Sequence, residues 1–292
     1  MSERSSRALA AARRCAAGLG LVVDDPRVLR DRYNLLIHLP AAAVVVRVAT
    51  ATAEVRGPEW LAREVAVARF LGAAGLPVVS PTTTVAPGPH EADGFTLTLW
   101  QYVDVLDRDQ VDPAAAGRGL RAIHDALAAF APAEPPFPVL GEARELVSRQ
   151  AATGRLAAMD RSAFERVADR LGSAVDAAAL PFQQLHGDAH LGNVLPTVGG
   201  PLWGDWEDTI AGPREWDLAA AVATGRPPMG DGDGHDADLM LAAYGDHDAD
   251  ALALMVDVRI LQGVAWGLAV GPRSADDTRP ARRLDWLRAT AG

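Results

Sequence analysis

His186-Gly187-Asp188-Ala189-His190-Leu191-Gly192-Asn193-Val194-Leu195 is the stretch on which the fold turns. Asp188 and Asn193 stand five positions apart, and Gly187 and Gly192 bracket them, which permits tight, non-helical backbone. Beyond Pro196 comes a turn rich in Gly199-Gly200-Pro201, then Leu202-Trp203-Gly204 and Asp205. This pattern predicts a hairpin. A hairpin folds its ends back beside each other, so it sets Asp205 next to Asn193 although twelve positions separate them. The expected product is one carboxylate near an acceptor and an Asn/Asp pair of hard oxygen donors, a set that suits magnesium. Phosphoryl transfer uses such parts: a loop Asp for the acceptor hydroxyl, and an Asn five residues on with a following Asp for metal ions. Asp, Asn and Gly also build ordinary turns. A turn alone does not account for a His, two Asp and an Asn gathered around one hairpin.

Outward from this stretch the pattern differs on the two sides. Upstream, Arg32 to Leu39 and Ala43 to Ala49 read as strands with a turn at Pro40. Pro58 opens a helix in which Leu61, Val65, Ala68 and Leu71 recur on one face, and Gly75 with Pro77 closes it. Thr82 to Ala86 and Gly94 to Leu99 read as two further strands. From Asp112-Pro113 onward helices dominate: through Leu127, then about 141–152, 161–179, 215–224, 236–244 and 250–270, with a Pro-rich linker over Ala131 to Pro138. The expected class is α+β. A small antiparallel β-rich lobe takes residues 1–100, a hinge takes 101–104, and a larger helical lobe takes 105–292. Ligand clefts commonly form between two such lobes.

Composition narrows the partners. The chain has 292 residues and a formal net charge of -10, which argues against a broad nucleic-acid surface. No apolar run reaches the roughly 20 residues of a membrane helix. At the N-terminus Arg13 and Arg14 interrupt an Ala-rich stretch, so an amphipathic surface helix is expected there and not a signal peptide. The single cysteine, Cys15, forms no internal disulfide and offers no zinc cluster. The expectation is a cytoplasmic protein. The chain contains no lysine, so any phosphate grip must come from Arg, backbone N–H groups or metal.

The stretch from Gln184 to Ala219, with LHGDAHLGNVL followed by WGDWEDTIAGPREWDLA, closely resembles the aminoglycoside phosphotransferase and choline kinase-like family of small-molecule kinases. The resemblance extends from about residue 27 to 270. It implies a protein-kinase-like two-lobed fold and transfer of the γ-phosphate of ATP or GTP, with Mg2+, to a hydroxyl of a small molecule. An aminoglycoside-like antibiotic or another hydroxylated metabolite would be the acceptor, and antibiotic resistance a possible consequence. By resemblance Asp188 is the catalytic base, and Asn193 and Asp205 are the magnesium ligands. His186 and Asp217 brace the loop. Val44 to Val48 resembles the strand whose basic residue grips the α- and β-phosphates, here Arg47, with Glu64 as its helical partner. Gln101, Tyr102 and Val103 would offer backbone groups to the base. His190, Glu207 and Asp208 are candidates for contact with the acceptor; Glu207 and Asp208 could equally brace the hairpin end. One departure is that no Gly-x-Gly-x-x-Gly loop lies near Arg32-Tyr33-Asn34-Leu35.

Other readings remain open at this point. A metal-dependent hydrolase could use His186, Asp188, His190 and Asp205, although the remaining histidines form no second cluster. A nucleotide-binding pseudoenzyme is disfavoured by the joint presence of Asp188, Asn193 and Asp205. Gly117-Arg118-Gly119 imitates part of a dinucleotide fingerprint but falls inside an expected helix, and His124 after it reads as a surface or core histidine. The acidic run Asp231, Asp233, Asp236, Asp238, Asp246, Asp248 and Asp250 either steers a polycationic acceptor or is a solvated loop and helix start.

Overall fold

The computed structural model describes residues 2–32, 34–50, 57–131, 137–154, 156–271, 274 and 276–292. Tyr33, within the strand expected from Arg32, and residues 132–136 of the expected linker lie outside the described residues. The fold is α+β, and the chain divides into two compact units. Unit 1 holds 1–111 and 194–209, and unit 2 holds 112–193 and 210–292.

Unit 1 is built on an antiparallel sheet of β1 (Arg27–Asp31), β2 (Asn34–Leu39), β3 (Val44–Ala49), β4 (His90–Ala92) and β5 (Phe95–Gln101), in the order β1-β2-β3-β5-β4. Side chains alternate across a strand. Leu35, Ile37, Leu39, Val44, Val46, Val48, Leu97 and Leu99 therefore share one buried core, together with Ala8, Ala11, Ala12 and Ala16 of helix α1 (Glu3–Gly18). Arg47, between Val46 and Val48, falls on the opposite face and pairs in register with Leu36 and Thr98. Helix α2 (Pro58–Ala73) starts on Pro58, as expected. The N-terminal helix is amphipathic but is not merely a surface element: its alanine stripe packs on the sheet while Arg13 and Arg14 stay exposed.

Three strand readings change. The strand expected from Arg32 begins at Asn34, and the exposed edge strand β1 had no alternation to reveal it. Thr82 to Ala86 forms no strand. Thr82 N–H donates to Leu99 O (3.0 Å) and Leu99 N–H to Pro87 O (2.8 Å), but Pro81 and Pro87 have no N–H to continue a ladder. The sheet's other edge is β4 instead.

The expected hairpin is present as β7 (Val194–Leu195) and β8 (Leu202–Trp203), paired Val194 to Trp203 and Leu195 to Leu202; the short strand β6 (Gln183–Gln184) precedes it. The hairpin belongs to unit 1 because Trp203 N–H donates to Pro77 O and Val79 N–H to Trp203 O, both at 2.8 Å, just after α2.

Unit 2 contains α3 (Pro113–Leu127), α4 (Val139–Ala152), α5 (Ala158–Ala178), the strand β9 (Ala211–Gly212), α6 (Arg214–Gly225), α7 (His235–Tyr244), α8 (Ala249–Val270) and α9 (Arg279–Ala291). Asp112 and Asp248 cap α3 and α8 through their side chains. Gly117 sits in α3 where a Cβ would stand 2.2 Å from Met240 O of α7, so the glycine serves close helix packing and not a phosphate loop. Helix α8 is long and apolar enough to cross a membrane by length and composition, as a buried core helix also can be. It packs against α4, α5, α6 and α9, and it carries a buried arginine, Arg259.

The alanine stripe of α1 gives a direct check. Ala11 is fully buried, so Ala11→Leu should destabilise by about 1–3 kcal/mol through overpacking. The exposed control Ala17→Leu should stay within about 0.5 kcal/mol of wild type in urea unfolding.

Candidate active site

In unit 2, β6 pairs with β9, Gln183 to Gly212 and Gln184 to Ala211. That pairing sets the loop leaving β6 beside the first turn of α6, where Asp217 lies. Asp217 is fully buried and accepts from His186 N–H (2.9 Å) and Gly187 N–H (2.8 Å). Its Oδ2 is also 2.9 Å from His124 Nε2, and His124 Nδ1 is 2.8 Å from the Tyr244 hydroxyl. Burial alone would raise the Asp217 carboxyl. The His124 hydrogen bond and charge, His186 and the Gly187 N–H outweigh it, and the carboxyl is held below its ordinary value. Burial pushes the Tyr244 phenol the other way, up to about 12. His124 is thus a core histidine with a structural partner that no local pattern announced.

Above this anchor the loop turns through Gly187, whose φ of 90° is costly for any residue with a Cβ. Trp216 Nε1 donates to Gly187 O at 2.9 Å. Asp188 N–H donates to the buried His186 Nδ1 at 3.3 Å. The Asp188 carboxylate is partly exposed. Its Oδ1 is 3.4 Å from Arg259 Nη1, and its Oδ2 is 3.3 Å from both His190 Nε2 and Asn193 Nδ2. Burial would raise this carboxyl too, but His190, Arg259 and His186 hold it well below the usual carboxylate range. Asn193 Nδ2 also donates to Asp188 O at 2.9 Å, which leaves the amide oxygen as a hard donor for another partner.

In unit 1, Arg47 is 5 % exposed and ion-pairs with both Glu64 of α2 and Glu207 of the hairpin end. Glu207 also accepts from Asn34 Nδ2 at 2.8 Å. Both contacts are to residues of its own unit. Burial outweighs Arg47 at both: with like charge from Glu207 and Asp205 it raises Glu64 to about 8, and with like charge from Asp205 and Asp208 it raises Glu207 to about 7. Asp205 adopts a left-handed conformation at φ 63°, is about one-third exposed, and lies 3.8 Å from Arg30. Three carboxylates therefore surround one buried guanidinium. The Asn193 amide and Asp205 carboxylate oxygens are the donor types magnesium takes. Asp208 is half-buried in the short turn after Asp205.

The three residues expected to meet the base are not equivalent. Gln101 N–H donates to Ser80 O (3.0 Å) and Tyr102 N–H to Ala43 O (2.9 Å), so both have backbone partners. Among the described residues Val103 keeps the only N–H of the three without a backbone partner. The Tyr102 ring stacks on His38 at 3.6 Å.

Much of the acidic run is engaged locally. Asp238 accepts twice from Arg226 at 2.6 Å, Asp231 pairs with Arg282, and Asp233 and Asp248 accept from backbone N–H groups at helix starts. A cavity of ≈ 300 Å³ within unit 2 is lined by His190, Leu191, Thr224, Asp233, His235 and Asp236, among others. Among the described residues no group of three or more His, Cys, Asp or Glu side chains is arranged to hold a metal ion, which leaves the hydrolase alternative without its cluster.

No curated protein matches the sequence. Solved structures share the fold at low identity. The amicoumacin kinase hAmiN, solved with AMP-PNP, Ca2+ and Ami, is 16% identical at a TM-score of 0.69, covering 91% of this chain and 88% of its own. Choline kinase LicA from Streptococcus pneumoniae is 15% identical at 0.67, covering 96% of each chain. APH(2")-IIia, solved as its GDP and kanamycin complex, is 16% identical at 0.61, covering 92% and 94%. The model of the phosphotransferase enzyme family (APH) matches residues 26–254, most of the chain, including Arg47, Glu64, Asp188, Asn193, Asp205 and Asp217, and the chain belongs to that family.

Proposed function

We propose that the chain transfers the γ-phosphate of ATP or GTP to a hydroxyl of a small molecule, with Asp188 as the catalytic carboxylate. The observation that carries this reading is the Asp188 side chain itself: partly exposed, flanked by Arg259, His190 and Asn193, and mounted on a loop clamped by Asp217. An ionised carboxylate accepts a hydrogen bond from the acceptor O–H and aligns its oxygen with the γ-phosphorus. As the new O–P bond forms, the bond from the γ-phosphorus to the β,γ-bridging oxygen breaks. The proton passes to Asp188 and then to solvent, and the nucleoside diphosphate leaves. Asp188 orients the acceptor oxygen first and takes its proton as the bond to phosphorus forms.

Arg47 is the cation for the α- and β-phosphates, and its fork differs from a lysine's point charge. Glu64 and Glu207 hold that fork in place. Asn193 and Asp205 would hold magnesium, which when bound would supply positive charge to neutralise the triphosphate. Val103 N–H is the donor for the base edge; Gln101 and Tyr102 shape its surroundings. The cavity beside His190 is the room for the acceptor, with His190 and Asp208 as polar contacts. Relatives solved with AMP-PNP and with GDP keep both bases in view, and amicoumacin, choline and kanamycin names among them favour a hydroxylated, often cationic acceptor. Antibiotic modification is one such role.

Two variants test the assignment. Asp188→Ala should lower kcat by about 10²–10⁴ while nucleotide still raises Tm as in wild type; near-normal transfer would remove Asp188 from the chemistry. Asp205→Ala should raise the magnesium concentration needed for half-maximal rate by tenfold or more, on the order of 1.4 kcal/mol. An unchanged magnesium titration would take Asp205 out of the metal site.

A further inference from the structure

Arg259 is the most unusual side chain in unit 2. It lies in an apolar segment of α8, Val258-Arg259-Ile260-Leu261, and is 5 % exposed. A buried guanidinium loses its hydration, and an apolar side chain of similar size would often serve packing as well or better. Its contacts point to a more specific task. Nη2 donates to Gly187 O at 2.7 Å, the carbonyl that Trp216 Nε1 also holds. Nη1 donates to Gln262 Oε1 at 3.1 Å and faces Asp188 Oδ1 at 3.4 Å. The guanidinium plane rests 3.7 Å from the centre of the Trp216 ring. The carbonyl of residue 187 and the carboxylate of residue 188 are thus held by the two arms of one rigid fork, which is fixed by Trp216 on its face and Gln262 at its edge.

We propose that Arg259 is the positioning residue for Asp188: it ties Oδ1 to the buried side of the loop and so presents Oδ2, on the side of His190 and Asn193, to the acceptor hydroxyl. The proposal rests on the reading of Asp188 as the group that orients the acceptor. Arg259 touches no substrate and acts only through Asp188. A lysine in its place could keep the charge but not span both oxygens. Misplacing a reacting group by about 1 Å typically costs on the order of 100-fold in rate.

The test is steady-state kinetics of Arg259→Lys, Arg259→Ala and Gln262→Leu beside wild type and Asp188→Ala, in the full chain, with Tm measured for each. Arg259→Lys should lose about 100-fold in kcat with KM for nucleotide and acceptor within about twofold. Guanidinium ion at non-denaturing millimolar concentration should restore part of the Arg259→Ala rate and none of the Asp188→Ala rate. Gln262→Leu, which keeps the guanidinium but frees its edge, should lose about tenfold in kcat, and it carries the test if Arg259→Ala does not fold. Wild-type kcat in both Arg259→Lys and Gln262→Leu, or a rate loss that follows Tm with no rescue, would overturn the role of Arg259 while leaving Asp188 in place. An active Asp188→Ala variant would instead overturn the reading on which the proposal rests.

Discussion

The buried carboxylate of Asp217 is the constraint on which the described site in unit 2 depends. One side chain accepts the two consecutive N–H groups of His186 and Gly187 and bonds His124. Those N–H groups have no ladder to join, because the strand β6 ends at Gln184 and Gly187 sits at positive φ. Left without partners in a buried setting, each would cost about 1–3 kcal/mol. Asp217 removes that cost and fixes the loop at the same time. The carboxylate of Asp188 then stands at a defined height above α6, with Trp216 and Arg259 closing the Gly187 carbonyl from the other side.

Unit 1 solves a different electrostatic problem. Among its described residues one guanidinium is buried, that of Arg47, and it is held between Glu64 and Glu207 with Asp205 nearby. The lysine-free composition makes the same point: without flexible ammonium groups, phosphate contact falls to a fork that must be braced on both sides.

Legibility followed the range of the interactions. Helices α2 to α8 were readable to within a few residues because their signals are local: Pro58 and Asp112-Pro113 at starts, apolar recurrence within. The hairpin of β7 and β8 was readable from Gly199-Gly200-Pro201. The strand placed at Thr82 to Ala86 failed because two prolines broke its ladder, and β1 was missed because an exposed edge carries no burial pattern. Glu207 meeting Arg47 across 160 positions, and His124 meeting Asp217 across 93, had no local trace at all. Arg259 did leave a signal: a lone arginine in an otherwise apolar stretch of a 22-residue helix needs a partner. The Tyr102 N–H donating to Ala43 O likewise had no local trace.

The most direct test of the account follows phosphorus itself. ³¹P NMR of the full chain with Mg2+, ATP or GTP, and a panel of aminoglycosides, amino alcohols and sugars should show a new phosphomonoester resonance growing with one acceptor as the γ-phosphate signal falls in equal amount. Release of inorganic phosphate with no phosphomonoester from any acceptor, or an equal rate after all divalent metal is chelated, would contradict it.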